Sequence, residues 1–371
     1  KQNKQKKENM KNIMKTLIVM LTSVSLFASA NAGELSVSGT AKATYNIHSG
    51  LADKGKGIGI TNELNFTAAG ELDNGYTWSY SMELDPGATS PATETSTGDT
   101  QSAQNDDTQL TLTTPYGTVG VFVSEGGLDL EDAASQSVYA RPTDAGDPSA
   151  TVDNYTIDAY NNLQYHTPAD LLPFGITAKI AYAPTLSHQY GSGNAQGKNT
   201  LIAIDGAGNN ATEYQVKATP VDGLNVGVSY FEFSGAGLTT ANDQDPESGA
   251  YYATYATGPV SVGYSKAHRT NLVGGDVTAT RTVTVEDYEQ TNYSIAYAAT
   301  DNLSLSYEVE TSEAHYILNS TADVEQKSKA LQAAYTMGGM TLAISQANHD
   351  NNGYTVGAEV DQTLFAVTMA F

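Results

Sequence analysis

The sequence predicts an all-β fold, a sixteen-stranded antiparallel transmembrane β-barrel. Three observations predict it. Apolar and polar residues alternate with period two along segment after segment, as in strands whose two faces meet different surroundings. The connections between these segments alternate strictly between short and long. No segment approaches the ~18 consecutive apolar residues of a helical span, so any membrane crossing must be made by strands.

The first element is a leader. Residues 1–15 hold six lysines and one Glu, and Leu17 to Phe27 is an apolar stretch softened by Thr22, Ser23 and Ser25. Ala30-Asn31-Ala32 then reads as an A-x-A cleavage pattern, the order of a secretory signal peptide. The apolar run is too short for a transmembrane anchor, which takes about 20 residues. The expected organisation is a leader over residues 1–32, with translation starting at Met10 or Met14 and cleavage after Ala32, followed by one barrel over residues 33–371. Without the leader the chain keeps 12 basic and 40 acidic residues, a net of −28 against −23 for all 371 residues. Such a surface repels nucleic-acid phosphates and excludes that partner class. There is no cysteine, so packing and hydrogen bonds must hold an exported chain together.

The strands follow in order. Leu35, Val37, Gly39, Ala41, Ala43 and Tyr45 share one face of the first, opposite Ser36, Ser38, Thr40, Lys42 and Thr44. The same alternation recurs at Tyr76–Asp85, Ile176–Tyr182, Asn292–Ala299 and Leu303–Glu310. Each of these segments is about ten residues, enough to cross a bilayer when tilted. The short connections are Asp73-Asn74-Gly75, Pro115-Tyr116-Gly117, Pro168 to Gly175, Pro220 to Gly223, Gly258-Pro259, Asp301-Asn302 and Gly338-Gly339. Gly, Asn and Asp accept the positive φ of tight turns, and Pro stops a ladder. The long ones fall near residues 46–57, 86–106, 126–159, 184–210, 234–249, 268–288, 312–325 and 348–360. Seven short turns and eight long loops separate sixteen strands. Both chain ends then fall on the short-turn side.

The two faces fit this barrel. Lys42, Glu63, Glu83, Lys179, Glu213, Lys217, Glu308 and Glu310 lie on the polar face, and many of the 23 tyrosines lie near strand ends, where aromatic girdles meet a lipid–water boundary. The final stretch "QTLFAVTMAF" sets Phe365, Val367, Met369 and Phe371 at every second position. A closed barrel leaves no edge, so this strand must pair with Leu35–Tyr45 and stay ordered to its last residue. Phe371 is thereby expected in an aromatic band at the short-turn side.

Four stretches are similar to the general porin family of Gram-negative outer membranes, and more closely to its alphaproteobacterial type. They are "GELSVSGTAKATY" (Gly33–Tyr45), "GELDNGYTWSYSMEL" (Gly70–Leu84), "TTPYGTVGVF" (Thr113–Phe122) and "FAVTMAF" (Phe365–Phe371). The resemblance implies short periplasmic turns, long extracellular loops and a water-filled barrel that assembles as a homotrimer among outer-membrane lipid and lipopolysaccharide. It implies that the barrel assembly machinery reads the terminal Phe371. It also implies that the third long loop, here about Glu125 to Ala159, folds inward to narrow the pore.

That loop carries the candidate constriction acids Glu125, Asp129, Glu131, Asp132, Asp144, Asp147, Asp153 and Asp158, with Arg141 as its only base. Acid rings favour cations in pores. The family often sets several arginines opposite this loop, whereas the sequence after the leader has only Arg141, Arg269 and Arg281. By parity Lys42, Lys179 and Lys217 face the lumen, which makes a thin basic wall. The expected function is passive diffusion of small hydrophilic solutes and ions with a preference for cations, not enzymatic chemistry. The rival from another class is a secreted soluble acidic β-protein, an adhesin or surface-layer module. An outer-membrane esterase or phospholipase would need a Ser-His pair near the rim, and no nucleophile elbow appears. A sugar-specific channel would need a lumenal aromatic track, whereas most tyrosines have outward parity. Asp243, Asp245 and Glu247 space three carboxylates like half of a calcium loop, with the Gly and distal Glu misplaced. Loop-bound Ca2+ or Mg2+ is therefore only a weak expectation, and no other cofactor is expected. The six histidines show no metal-binding spacing in sequence.

Overall fold

The computed structural model describes residues 34–50, 55–85, 104–123, 125–144, 152–184, 210–234, 246–271, 285–317 and 321–371. Sixteen strands form one closed antiparallel barrel in which each strand pairs with its sequence neighbours and the last pairs with the first. They are β1 (Glu34–Gly50), β2 (Gly55–Glu71), β3 (Thr77–Asp85), β4 (Gln104–Thr114), β5 (Gly117–Val123), β6 (Asn162–His166), β7 (Thr177–Ala183) and β8 (Asn210–Val221). The second half comprises β9 (Leu224–Ser234), β10 (Glu247–Thr257), β11 (Val260–Thr270), β12 (Val285–Ala298), β13 (Leu303–Tyr316), β14 (Val324–Met337), β15 (Met340–Asp350) and β16 (Glu359–Ala370).

Strand lengths depart from the uniform ten residues expected. β1 and β2 run 17 residues each and pair through His48↔Gly55, so the ladder continues well into the first long loop. β6 has only 5 residues, because the chain leaves the wall between β5 and β6 to enter the lumen. Pro220 lies within β8 rather than after it, at a register irregularity between Ala218 and Val221. Proline cannot donate to the ladder, and the irregularity accommodates it just before the turn.

The outward face is apolar and unpacked within the chain, with Ile58 86% and Ile60 66% exposed, as a lipid-facing surface requires. Closure runs through eleven register pairs, from Thr40↔Ala370 to Gly50↔Val360, with Tyr45 stacked on Phe365 at 6.5 Å between centroids. Phe371 extends the pairing beyond β16. Its N–H donates to Gly39 O at 3.0 Å, and Gly39 N–H donates to Phe371 O at 2.9 Å. A Cβ on Gly39 would stand 2.9 Å from the Phe371 ring, so the glycine makes room for the terminal aromatic on the outer surface. The apolar clusters of buried residues lie inside the barrel, between the third loop and the wall.

Candidate functional site

The described residues of the third loop, 125–144 and 152–161, are held along the inner wall by side chains of successive strands. On β6, Asn162 donates to Glu125 O at 3.1 Å and Gln164 donates to Gly126 O. On β8, Gln215 donates to Leu128 O at 2.8 Å. Ser229 of β9 accepts from Leu130 N at 3.1 Å, and Ser265 of β11 and Ser294 of β12 donate to Glu131 O and Ala134 O at 2.6 Å each. On β13, Ser306 accepts from Val138 N at 3.0 Å, and on β14 Gln332 accepts from Tyr139 N at 3.1 Å and donates to Ala140 O at 2.6 Å. The strand period explains the arrangement: every wall partner has inward parity, so polar side chains from strand after strand meet backbone groups of the loop.

Three wall carboxylates do more than line the lumen. Glu213 Oε2 accepts from Leu128 N at 3.2 Å and from Ile157 N at 2.9 Å, so one buried group clamps the outgoing and the returning limb. Glu308 accepts from Ser135 Oγ at 2.7 Å and Ser137 Oγ at 2.6 Å. Glu310 accepts from Thr143 N at 3.2 Å and Thr143 Oγ1 at 2.8 Å. Apolar packing adds to the clamps. Phe231 and Phe233 of β9 have lumenal parity and pack with Leu128, Ile157, Tyr155 and Tyr160. At Gly263 of β11 a Cβ would come within 1.8 Å of Ala134 O, so only glycine lets the loop backbone approach so closely.

The eight predicted acids separate into groups. Glu125 stands where the loop leaves the wall. Asp129 turns inward and accepts from Glu131 N at 3.0 Å, Asn154 Nδ2 at 3.1 Å and Ser229 Oγ at 3.2 Å. Glu131 is buried and accepts from Asn154 N at 3.0 Å. These two tie the two limbs of the loop together, and Asp129 also ties it to Ser229 of the wall. Burial pushes both pKa values up, Glu131 well above its ordinary value with Asp129 and Asp132 adding repulsion. Asp132, Asp144 and Asp153 instead converge on Arg141. Its guanidinium touches Asp132, meets Asp144 in a fork at 2.8 and 3.1 Å, and lies 3.5 Å from Glu310 and 3.9 Å from Asp153. Burial works against the Arg141 charge, but the surrounding Asp132, Glu310 and Asp144 outweigh it and raise its pKa.

Asp132 is pushed up to about 8 by burial, with Arg141 opposing and Glu310 and Asp144 reinforcing. Its side chain is 49% accessible, yet it lines a small cavity with Glu131, Arg141, Ser265, Asn292 and Glu310, where solvation is poorer than at an open surface. Asp153 is likewise raised, by burial first. Asp158 sits apart in the one-turn helix Ile157–Ala159, raised mainly by burial. Asp147 lies outside the described residues, as do Asp243 and Asp245; Glu247 accepts from Tyr230 Oη at 2.5 Å. Lys42 Nζ lies 5.7 Å from the Tyr139 ring, while Lys179 pairs across the ladder with Gln215 and Lys217 with Thr177 on the face that holds the loop.

Sequence reasoning placed Glu213, Glu308 and Glu310 on the polar face but not as loop anchors. Their alternation was the available signal; which loop group each would meet was not in it. Phe231 and Phe233 went unnoticed because a lumen was expected to be polar.

A family model described as Gram-negative porin matches residues 16–355. No curated protein matches the chain. Among solved structures, Salmonella typhi OmpF, determined with daunomycin, is 14% identical with a TM-score of 0.63, covering 91% of this chain and 98% of its own. An anion-selective porin from Comamonas acidovorans is 12% identical with a TM-score of 0.64, covering 91% and 100%. A loop-deletion mutant of Vibrio cholerae OmpT is 13% identical with a TM-score of 0.58, covering 92% and 100%. At these identities the structures speak for the fold, and the family match for the lineage. A closed sixteen-strand barrel with an apolar outside and a loop pinned to its lumenal wall, matched by that model over most of its length, belongs to the Gram-negative porin family: it is an outer-membrane diffusion channel for small hydrophilic solutes and ions.

Proposed function

We propose that this channel prefers cations and that the third loop forms its constriction. One observation carries the reading: Arg141, the only base of the loop, is already engaged by Asp132, Asp144, Asp153 and Glu310, leaving a net acid excess at the loop's edge. The loop's wall contacts run from β6 through β14 and on to Leu364 and Ala366 of β16, with Tyr139 reaching Lys42 of β1, so the passage lies toward β2–β4, where Glu63 and Glu83 share the lumenal parity of Lys42. Like charges along a narrow path enrich counter-ions, and salt screens the effect over about 10 Å at 0.1 M. Comamonas acidovorans supplies an anion-selective barrel of similar shape, so the fold leaves the sign of selectivity to side chains.

The test is the reversal potential of the purified protein in a bilayer under a KCl gradient. A cation-preferring sign is expected, strengthening as salt falls. Neutralising Asp132, Asp144 and Asp153 together should weaken it more than neutralising Asp243, Asp245 and Glu247. An anion preference overturns the electrostatic reading, and equal effects from the two triple variants remove the loop as constriction.

The same reading includes a homotrimer set among lipopolysaccharide, recognition of Phe371 by the barrel assembly machinery, and removal of the leader after Ala32. Family membership supports the first two, and the A-x-A pattern supports the third. Sequencing the membrane-extracted protein should begin at Gly33-Glu34-Leu35; an intact leader there contradicts the cleavage.

A further inference from the structure

On the outer surface of β11–β13, beyond the tyrosines, the barrel gathers two histidines and three carboxylates. Tyr264 and Tyr293 lie 5.2 Å apart between centroids with their ring planes tilted, and the next outward pair toward the long loops is Lys266 with Glu289 at 2.6 Å. His268 stands four positions beyond Tyr264, about 13 Å along the strand at ~3.3 Å per residue, which places this level in the polar layer rather than in hydrocarbon. There Asp287 Oδ1 lies 3.2 Å from His268 Nε2 and 2.6 Å from His315 Nδ1. With Nδ1 committed to Asp287, the other nitrogen of His315 faces Glu313, with Nε2 to Oε2 at 3.4 Å. Asp323, just before β14, completes the group: one donor atom from each of Glu313, His315 and Asp323 lies within 4.8 Å of the others.

We propose that Glu313, His315 and Asp323 form a site for a first-row divalent transition cation, with Asp287 orienting the histidine. Two ligands held ~2.1 Å from a tetrahedral centre stand about 3.4 Å apart, the His315–Glu313 separation already present without a metal. A ligating histidine characteristically gives its other ring N–H to a carboxylate, which fixes the tautomer, and Asp287 does this here. One imidazole with two carboxylates suits Zn2+, Cu2+ or Ni2+, whereas Ca2+ and Mg2+ take oxygen ligands. The site is separate from the pore, on the opposite face of the strands, and does not depend on the direction of ion selectivity.

Zn2+ titration of the purified full barrel in detergent, in excess Mg2+, tests the assignment by calorimetry. The expected result is saturable binding of about one Zn2+ per chain, abolished in H315A, weakened about 10–100-fold in D287N, and unchanged in H48A on β1. E313Q is a second arm should H315A fail to give the heat-modifiable barrel, and it too should lose most of the affinity. Binding that Mg2+ displaces reports only diffuse acidity and overturns the proposal. So does saturable binding that survives in H315A or E313Q, and so does an absence of Zn2+ binding.

Discussion

At Arg141 one guanidinium answers four carboxylates, and the acids it holds differ in kind from those it does not. Asp129 and Glu131 spend their oxygens on backbone and side-chain donors. Eight acids in one loop therefore do not contribute eight charges to the pore. Asp132 is the clearest titrating group, its carboxyl pushed up to about 8. Below that pH it keeps its proton and is neutral; above it, it adds a negative charge beside the passage. Cation preference should accordingly rise as pH increases from about 6 to 9, and D132N should remove the part of the rise centred near pH 8. Reversal potentials across that pH series are the measurement. A wild-type profile that is flat, or that falls with pH, contradicts the assignment.

The described residues of the loop stay docked because the wall supplies polar partners strand after strand. Glu213 is the most economical contact, since one oxygen receives an N–H from each limb. A typical hydrogen bond contributes about 0.5–1.5 kcal/mol, and stranding a buried N–H costs about 1–3 kcal/mol. E213L should therefore release the loop in part, with current flicker in single-channel records and faster protease cleavage within residues 126–160, while the barrel keeps its heat-modifiable mobility. E213Q retains an acceptor oxygen and should fall between E213L and the unaltered chain. Steady currents and unchanged cleavage in E213L would show that Phe231, Phe233 and the serines suffice.

Across the whole molecule, stability rests on the closed ladder, and Phe371 adds one pair to an eleven-pair seam. Deleting it removes two hydrogen bonds and the ring over Gly39, a small fraction of that seam. The deletion should leave detergent refolding and heat-modifiable mobility close to those of the full chain, while lowering outer-membrane yield in cells. That split separates recognition of the terminal aromatic from barrel closure. An unchanged cellular yield would sink the recognition role, and a collapse of refolding in detergent would show that the residue matters to closure itself.

Strand number, the sidedness of turns and loops, and the pairing of the last strand with the first were legible in the residues alone. Alternation has a period of two residues and turns need Gly, Asn, Asp or Pro, so both signals are local. Gln362–Phe371 announced a seam partner before any coordinate did, because a barrel in lipid has no tolerable edge. The contents of the lumen were another matter. Nothing local ties Arg141 to Glu310 across 169 positions, or Leu128 to Glu213 across 85. Histidines without metal spacing in sequence, His268 and His315, meet at Asp287 because adjacent strands carry them to the same height. Parity says which face a side chain takes; only register in the closed sheet, together with the path that the described residues of the third loop take along its inner wall, decides which charges stand within reach of one another.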